Sequence, residues 1–152
     1  MLIIGCGNRH RGDDGAGILV AERLLELGIK AETRTGETID LLEAWNGAGD
    51  VIVIDAVLSG APAGTVHVWN EREPLPLFTK SASATTHGLG VAEAIELACV
   101  LDRLPRRLQV YGIEGQRFEP GVEISQEVQR AIEEVVQRII DHERSSTGCA
   151  DL

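Results

Sequence analysis

The start of the chain constrains the fold most. Residues 1–4 are apolar, residues 5–17 form a glycine-rich loop, and residues 18–27 have the amphipathic periodicity of a helix. A strand, a loop and a helix in this order are typical of an open α/β sheet, whose ligands bind at the carboxyl ends of the strands. The loop also carries arginines, a histidine and the adjacent carboxylates Asp13 and Asp14. We therefore expect this loop to contribute to a functional site.

The loop does not match the common nucleotide-binding motifs. The dinucleotide fingerprint requires a glycine where His10 stands, and the Gly-Lys-Ser/Thr sequence of a P-loop is absent. The carboxylates of Asp13 and Asp14 would also repel a phosphate. We expect one of these aspartates, Asp13, to cap the following helix, since Asp is a preferred N-cap residue. Asp14 would then be free for chemistry.

The rest of the chain continues the alternation of strands and helices. A continuous apolar run at 50–55 is typical of a central strand that is covered on both faces. The strand at 64–69 follows too closely for a crossover helix, so it should run antiparallel. The predicted strands are 2–5, 31–36, 50–55, 64–69 and 107–113. The four predicted helices are residues 15–27, a short helix that Thr38 caps and that ends at Trp45, residues 88–103, and a last helix that Ser125 caps. The predicted fold is a single three-layer α/β domain, with a mixed, mostly parallel five-stranded sheet between helices.

Length and charge restrict the class of protein. The 152 residues are enough for one self-sufficient core, and we expect residues 1–143 to form the domain and residues 144–152 a flexible C-terminal tail. The net charge of −10 argues against nucleic acid and anionic membranes as partners. No apolar run approaches the roughly 18 residues of a membrane span, and no secretory signal precedes the first strand. These features predict a cytoplasmic protein.

The predicted topology brings four polar residues to one edge of the sheet. The connection of residues 70–86 must return to the carboxyl edge, so that Asp14, Asp55, His87 and Glu114 converge there. A carboxylate at the end of an apolar strand, such as Asp55, is costly unless it is paired or used. Two carboxylates and an imidazole suit a divalent metal with open coordination positions. The sequence therefore predicts an active site with solvent-facing ligands at this edge.

Each of these residues also has an ordinary structural explanation. Asp55 could be a hydrogen-bonded turn former, and His87 could be a surface or capping histidine. For Glu114 we favour an ordinary solvated carboxylate, and we interpret His67, which lies between two valines, as structural. A serine triad is not supported, because the chain contains no Gly-x-Ser-x-Gly elbow.

The cysteines do not form a metal-binding pattern. Cys6, Cys99 and Cys149 are odd in number and lack metal-type spacing, which suits a reducing cytosol. Cys6 lies in the glycine-rich loop and could be a nucleophile, but a small buried residue between two glycines is the interpretation we favour. Cys99 is expected on the apolar side of its helix, in the core.

Five motifs together give the chain a family resemblance. It resembles the nickel–iron hydrogenase maturation endopeptidases, and the motifs occur in that family's order over nearly the whole chain. The motifs are Gly5-x-Gly-Asn-x-x-Arg-Gly-Asp-Asp-Gly-x-Gly17, Ile54-Asp-Ala56, Thr86-His-Gly88, Tyr111-Gly-Ile-Glu114 and Phe118-Glu-Pro-Gly121.

The resemblance implies an activity and a ligand set. It implies an endopeptidase that removes a short C-terminal extension from the precursor of a hydrogenase large subunit after nickel has been installed. By motif position, the nickel-sensing residues would be Asp14, Asp55 and His87. The protein would need no cofactor of its own, because nickel arrives with its partner, the large-subunit precursor.

Peptide hydrolysis also needs an activated water and a site for the developing oxyanion. We expect Asp14 or Asp55 to be the general base and the backbone N–H groups of Gly7 and Asn8 to form the anion site. Two rival functions remain at this point. One is a self-contained metal-dependent amidase with unrelated substrates, and the other is a nickel-sensing assembly chaperone that binds the precursor without cutting it.

Overall fold

Helices pack against both faces of a central sheet. The structure is a computed structural model that describes residues 1–74 and 90–150 of the chain. In chain order the elements are β1 (Leu2–Cys6), a single 3-10 turn (Gly12–Gly15), α1 (Ala16–Glu26), β2 (Glu32–Arg34), α2 (Thr38–Trp45), β3 (Asp50–Val57), β4 (Val66–Asn70), α3 (Val91–Val100), β5 (Arg107–Glu114) and α4 (Gln126–Ala150).

The sheet has five strands in the order β2-β1-β3-β5-β4. Strands β2, β1, β3 and β5 are parallel, whereas β4 pairs antiparallel with β5. The predicted α/β class, the central position of β3, the placement of β5 beside it and the antiparallel β4 are all confirmed. The carboxyl ends of β1, β3 and β5 consequently meet at one edge of the sheet.

The sheet separates two hydrophobic cores. Alternate residues of a strand point to opposite faces, so β3 contributes Ile52 and Ile54 to one core and Val51 and Val53 to the other. The first core contains α1 and α4, and the second contains α2 and α3. Asp55 shares its face with Val51 and Val53, and therefore points to the side of α2 and α3.

Two glycines allow α1 to begin directly on the central strands. A Cβ at Gly17 would overlap the carbonyl oxygens of Cys6 and Ile54, and a Cβ at Gly5 would overlap the Gly17 carbonyl. No other residue type fits at such contacts without moving the backbone. This packing fixes the glycine-rich loop over the ends of β1 and β3.

Several predicted boundaries differ from the observed ones. The second strand is only Glu32–Arg34, and the helix predicted to begin at residue 88 is described from Val91. Thr38 is the first residue of α2 and does not cap it, because the N-cap position belongs to Glu37 and the Thr38 hydroxyl has no hydrogen-bond partner within the described ranges. Helix α4 continues to Ala150, so the predicted domain end at residue 143 does not coincide with a break in secondary structure. Among the helices of residues 1–74 and 90–150, none is long and apolar enough to cross a bilayer.

Candidate active site

Asp13 fixes the glycine-rich loop to a distant part of the chain. Its carboxylate is fully buried and accepts hydrogen bonds from the N–H groups of Gln116 (2.8 Å), Arg117 (2.9 Å) and Ser125 (2.9 Å). The Ser125 hydroxyl lies 3.2 Å from both carboxylate oxygens. The prediction that Asp13 caps α1 is wrong, because its side chain bonds the loop between β5 and α4 instead. Ser125 immediately precedes α4, as expected for its predicted capping position, but its hydroxyl bonds the Asp13 carboxylate.

The carboxylate of Asp14, unlike that of Asp13, does not hold the loop through hydrogen bonds to the described residues. Its side chain is only 1% exposed, and neither carboxylate oxygen has a hydrogen-bond partner among the described residues. Burial raises the pKa of Asp14 to about 6, and the nearby Arg11 guanidinium and Asn8 N–H offset this effect only in part. Asp14 is therefore a buried carboxylate whose charge is only partly compensated, and the prediction of a solvent-facing ligand is wrong for it.

Asp55 is a second incompletely bonded carboxylate. It is 2% exposed, and one of its oxygens accepts a hydrogen bond of 2.9 Å from the Ala56 N–H. Its other oxygen has no hydrogen-bond partner in the part of the chain that the structure describes. Burial raises the pKa of Asp55 well above its ordinary value, and the negative charge of Asp14 raises it further. The two carboxylates are thus close enough to repel each other.

The structure therefore brings together Asp14 and Asp55, as the sequence predicts. His87, the third predicted ligand, lies outside the described residues. Within residues 1–74 and 90–150, no group of three His, Cys, Asp or Glu side chains could hold a metal ion. The described residues thus provide two carboxylates at this edge of the sheet. A cation bound there would need further ligands from elsewhere.

The backbone groups predicted to form an anion site already have partners. The Gly7 N–H donates to the Arg34 carbonyl (3.1 Å), and the Asn8 N–H donates to the Asp14 carbonyl (3.2 Å). An oxyanion role for either group would require breaking that hydrogen bond. These bonds instead hold the loop so that the Asp14 side chain stays at the ends of β1 and β3.

Glu114 lies at the same edge of the sheet, but the prediction that it is a solvated carboxylate is wrong. It is 0% exposed and accepts hydrogen bonds from the Ser59 hydroxyl (2.5 Å), the Ser59 N–H (2.8 Å) and His67 Nε2 (3.1 Å). Burial alone would raise the pKa of Glu114. The hydrogen bonds from Ser59, His67 and the Gly60 N–H outweigh burial, so the pKa is lowered. Glu114 is thus a fully bonded, ionised group.

Cys6 has the environment of a structural residue. The thiol is buried, and burial together with the charges of Asp55, Asp40 and Asp14 raises its pKa well above the ordinary value, against the opposing effect of Arg34. A protonated, inaccessible thiol is a poor nucleophile. The other cysteine whose side chain is described, Cys99, is exposed, so the prediction of a core position for Cys99 is wrong.

Cys6→Ala should therefore retain peptidase activity. The expected loss is one of stability, about 1 kcal/mol, because a small buried side chain is truncated. Rates of precursor cleavage and thermal unfolding curves of the two proteins would measure both quantities. Loss of cleavage in a normally folded Cys6→Ala variant would show that the thiol takes part in the reaction.

Comparison with known proteins identifies the family of this chain. The sequence profile of the hydrogenase maturation protease family HycI matches residues 29–142. Protein FrxA of Pyrococcus furiosus is 31% identical over 131 residues, which are 85% of this chain and 94% of that protein. The hydrogenase 2 maturation protease of Escherichia coli is 26% identical over 152 residues, which are 96% of this chain and 92% of that protein.

A solved structure extends the likeness to the fold. The NiFe hydrogenase maturation protease HybD from Thermococcus kodakarensis has a TM-score of 0.72 and 27% identity, over 92% of this chain and 96% of that chain. The five-stranded sheet between two layers of helices is thus the scaffold of a peptide-bond hydrolase. This chain belongs to the hydrogenase maturation protease family, and it is an endopeptidase. The family resemblance noted in the sequence is confirmed.

Proposed function

We propose that this endopeptidase removes the C-terminal extension of a hydrogenase large-subunit precursor after nickel has entered it, and that the nickel is the feature it recognises. The observation that carries the proposal is the pair formed by Asp14 and Asp55. Three of their four carboxylate oxygens have no hydrogen-bond partner among the described residues, and both groups are buried. A cation is the partner that would compensate both charges.

The pair would make binding selective for a nickel-loaded precursor. Nickel held by the substrate's own ligands would bring positive charge to two buried carboxylates that otherwise repel each other. An apo precursor would bring no such charge, so its binding would leave the repulsion in place. The enzyme would then discriminate the two forms by their difference in affinity. We propose His87 as the third ligand on its motif position alone, and we propose no resident metal or other cofactor.

The same carboxylates suit the activation of water. A general base works best when its pKa lies near the working pH, and the pKa of Asp14 is raised to about 6. Asp14 or Asp55 would accept a proton from the attacking water while the other carboxylate stays near the cation. Carboxylates with raised pKa values are a recurrent arrangement in hydrolase sites.

The decisive experiment compares two preparations of one precursor. Incubation with the enzyme should shorten the nickel-loaded large-subunit precursor by its C-terminal extension and leave the apo precursor intact, as read by intact-mass spectrometry. Equal cleavage of both preparations would contradict nickel recognition but leave the peptidase activity in place. Tight binding without any change of mass would favour the assembly chaperone that binds without cutting.

A self-contained metal-dependent amidase remains the alternative enzyme. That enzyme would hold its own metal through dialysis against a chelator, whereas two carboxylates without a complete ligand set should not. Metal analysis of the dialysed protein, with the apo precursor as a parallel substrate, separates the two. Stoichiometric metal retained after dialysis, together with cleavage of the apo precursor, would favour the alternative.

A further inference from the structure

One positively charged side chain of the glycine-rich loop lies beside the carboxylate pair. The Asp14 N–H donates to the Arg11 carbonyl (3.1 Å), and Arg11 immediately precedes the 3-10 turn that contains Asp14. Residues three positions apart in such a turn lie on the same side of it. The side chains of Arg11 and Asp14 are therefore neighbours, and the guanidinium charge acts on the Asp14 carboxylate.

The Arg11 guanidinium is not neutralised by direct contact. Its Nε atom is buried and has no hydrogen-bond partner among residues 1–74 and 90–150, and the same is true of both Asp14 carboxylate oxygens. The ion pairs found in these ranges do not include Arg11. A buried N–H group without an acceptor is costly. The guanidinium and the carboxylate thus lie close together while each keeps its capacity to bind another group.

The charge of the site is set by few groups. Within the described ranges, the charge that acts on Asp14 is that of Arg11, and the charge that acts on Asp55 is that of Asp14. Arg34, at the end of β2, is already paired with Asp40 (2.9 Å). Two carboxylates and one guanidinium leave the described part of the site with at most one net negative charge.

This charge balance favours some forms of nickel over others. A bare divalent cation would leave an excess of positive charge beside the Arg11 guanidinium, and like charges repel strongly in a buried site. A nickel ion that the precursor holds with anionic ligands carries less net positive charge. One of those ligands would also supply the acceptor that the Arg11 Nε–H lacks, in a charge-assisted hydrogen bond. The site is therefore complementary to nickel with anionic ligands rather than to the free ion.

We propose that Arg11 binds an anionic ligand of the nickel in the precursor, while Asp14 and Asp55 bind the nickel itself. The inference rests on the proposed function, in which the two carboxylates receive nickel that the substrate already holds. Arg11 then determines specificity in two ways. It attracts the anionic side of the loaded centre, and it repels free nickel ions that would otherwise block the site.

Arg11→Gln tests this role because it should change the affinities for two ligands in opposite directions. Binding of nickel chloride should become about tenfold tighter, because one repulsion is lost. The KM for the nickel-loaded precursor should rise about tenfold, because the anionic ligand loses its charged partner. Isothermal titration calorimetry at neutral pH measures the first quantity, and cleavage kinetics measure the second.

Two other variants serve as controls. Arg11→Lys keeps the positive charge, so it should bind nickel chloride as weakly as the wild type does. Arg106→Gln removes the same charge from an exposed side chain that precedes β5, at the opposite edge of the sheet, and should leave both quantities unchanged. Arg11→Met repeats the test if the glutamine variant unfolds.

Two nickel complexes with open coordination positions separate the charge effect from a structural role. The complex with tris(2-aminoethyl)amine has neutral ligands, and the complex with nitrilotriacetate has anionic ones. Arg11→Gln should bind the amine complex more tightly than the wild type and the nitrilotriacetate complex more weakly. Weaker binding of every nickel ligand, or no difference from the wild type on any of them, would overturn the proposal. If the wild-type enzyme cleaves apo and loaded precursor equally, the proposed function fails instead.

Discussion

Asp14→Asn should abolish cleavage of the nickel-loaded precursor and at the same time make the protein more stable at pH 7. The activity is lost because a neutral amide neither attracts the cation nor accepts a proton from water. The stability rises because the raised pKa of Asp14, about 6 against an ordinary value of 3.8, shows that the folded state disfavours its charge. The difference is worth about 3 kcal/mol at neutral pH.

The pH dependence of this stabilisation has a defined sign. Between pH 3.8 and pH 6 the folded protein binds more protons at Asp14 than the unfolded chain does. The wild type therefore gains stability as the pH falls through this range. At pH 4 the Asp14 carboxyl is neutral in the folded state and only about half ionised in the unfolded chain, so most of the advantage of Asp14→Asn should disappear. Chemical denaturation of both proteins at pH 7 and pH 4 measures the change.

Two further variants check the physical cause. Asp55→Asn should also be inactive and more stable at pH 7, because burial and Asp14 raise the pKa of Asp55. Glu114→Gln should instead lose stability at pH 7. The lowered pKa of Glu114 means that its charged form stabilises the folded state above the ordinary pKa of 4.5. A loss of stability in Asp14→Asn at pH 7 would show that the folded state favours the charged form of Asp14, contrary to the raised pKa.

Local patterns were enough to predict the architecture and the proximity of Asp14 to Asp55. The apolar run at 50–55 identified the central strand, and the short connection to β4 required the antiparallel pairing. These features depend on residues that are close together in the chain. Because the carboxyl ends of parallel strands share one edge, the same reasoning placed Asp14 near Asp55.

Interactions between distant residues could not be predicted in this way. Asp13 bonds Gln116, 103 positions away, and the buried Glu114 accepts hydrogen bonds from Ser59, in the connection between β3 and β4, and from His67 of β4. Nothing in a local pattern separates such a carboxylate from a solvated one. Cys99 shows a second limit of local patterns. The apolar pattern of α3 continues beyond the residues that pack in the core, so Cys99 is exposed and neighbouring Val100 is 82% exposed.

Asp13→Ala should have the largest effect on folding. The substitution leaves the N–H groups of Gln116, Arg117 and Ser125 without their acceptor in a buried place. Each unsatisfied buried group costs about 1–3 kcal/mol, so we expect a loss of about 3–5 kcal/mol in the free energy of unfolding. For a domain of this size the unfolding midpoint should fall by about 10 °C.

The same variant should also lose peptidase activity below its unfolding midpoint, since the Asp13 bonds hold the loop that positions Asp14. Asp141→Ala is the matched control, because that carboxylate is exposed and bonds only Gln137 on the same helix among the described contacts. Its stability should stay within about 0.5 kcal/mol of the wild type. Asp13→Asn keeps one acceptor oxygen, so its stability should lie between those of Asp13→Ala and Asp141→Ala. If Asp13→Ala unfolds like the control, the hydrogen bonds to the loop between β5 and α4 do not hold the glycine-rich loop in place.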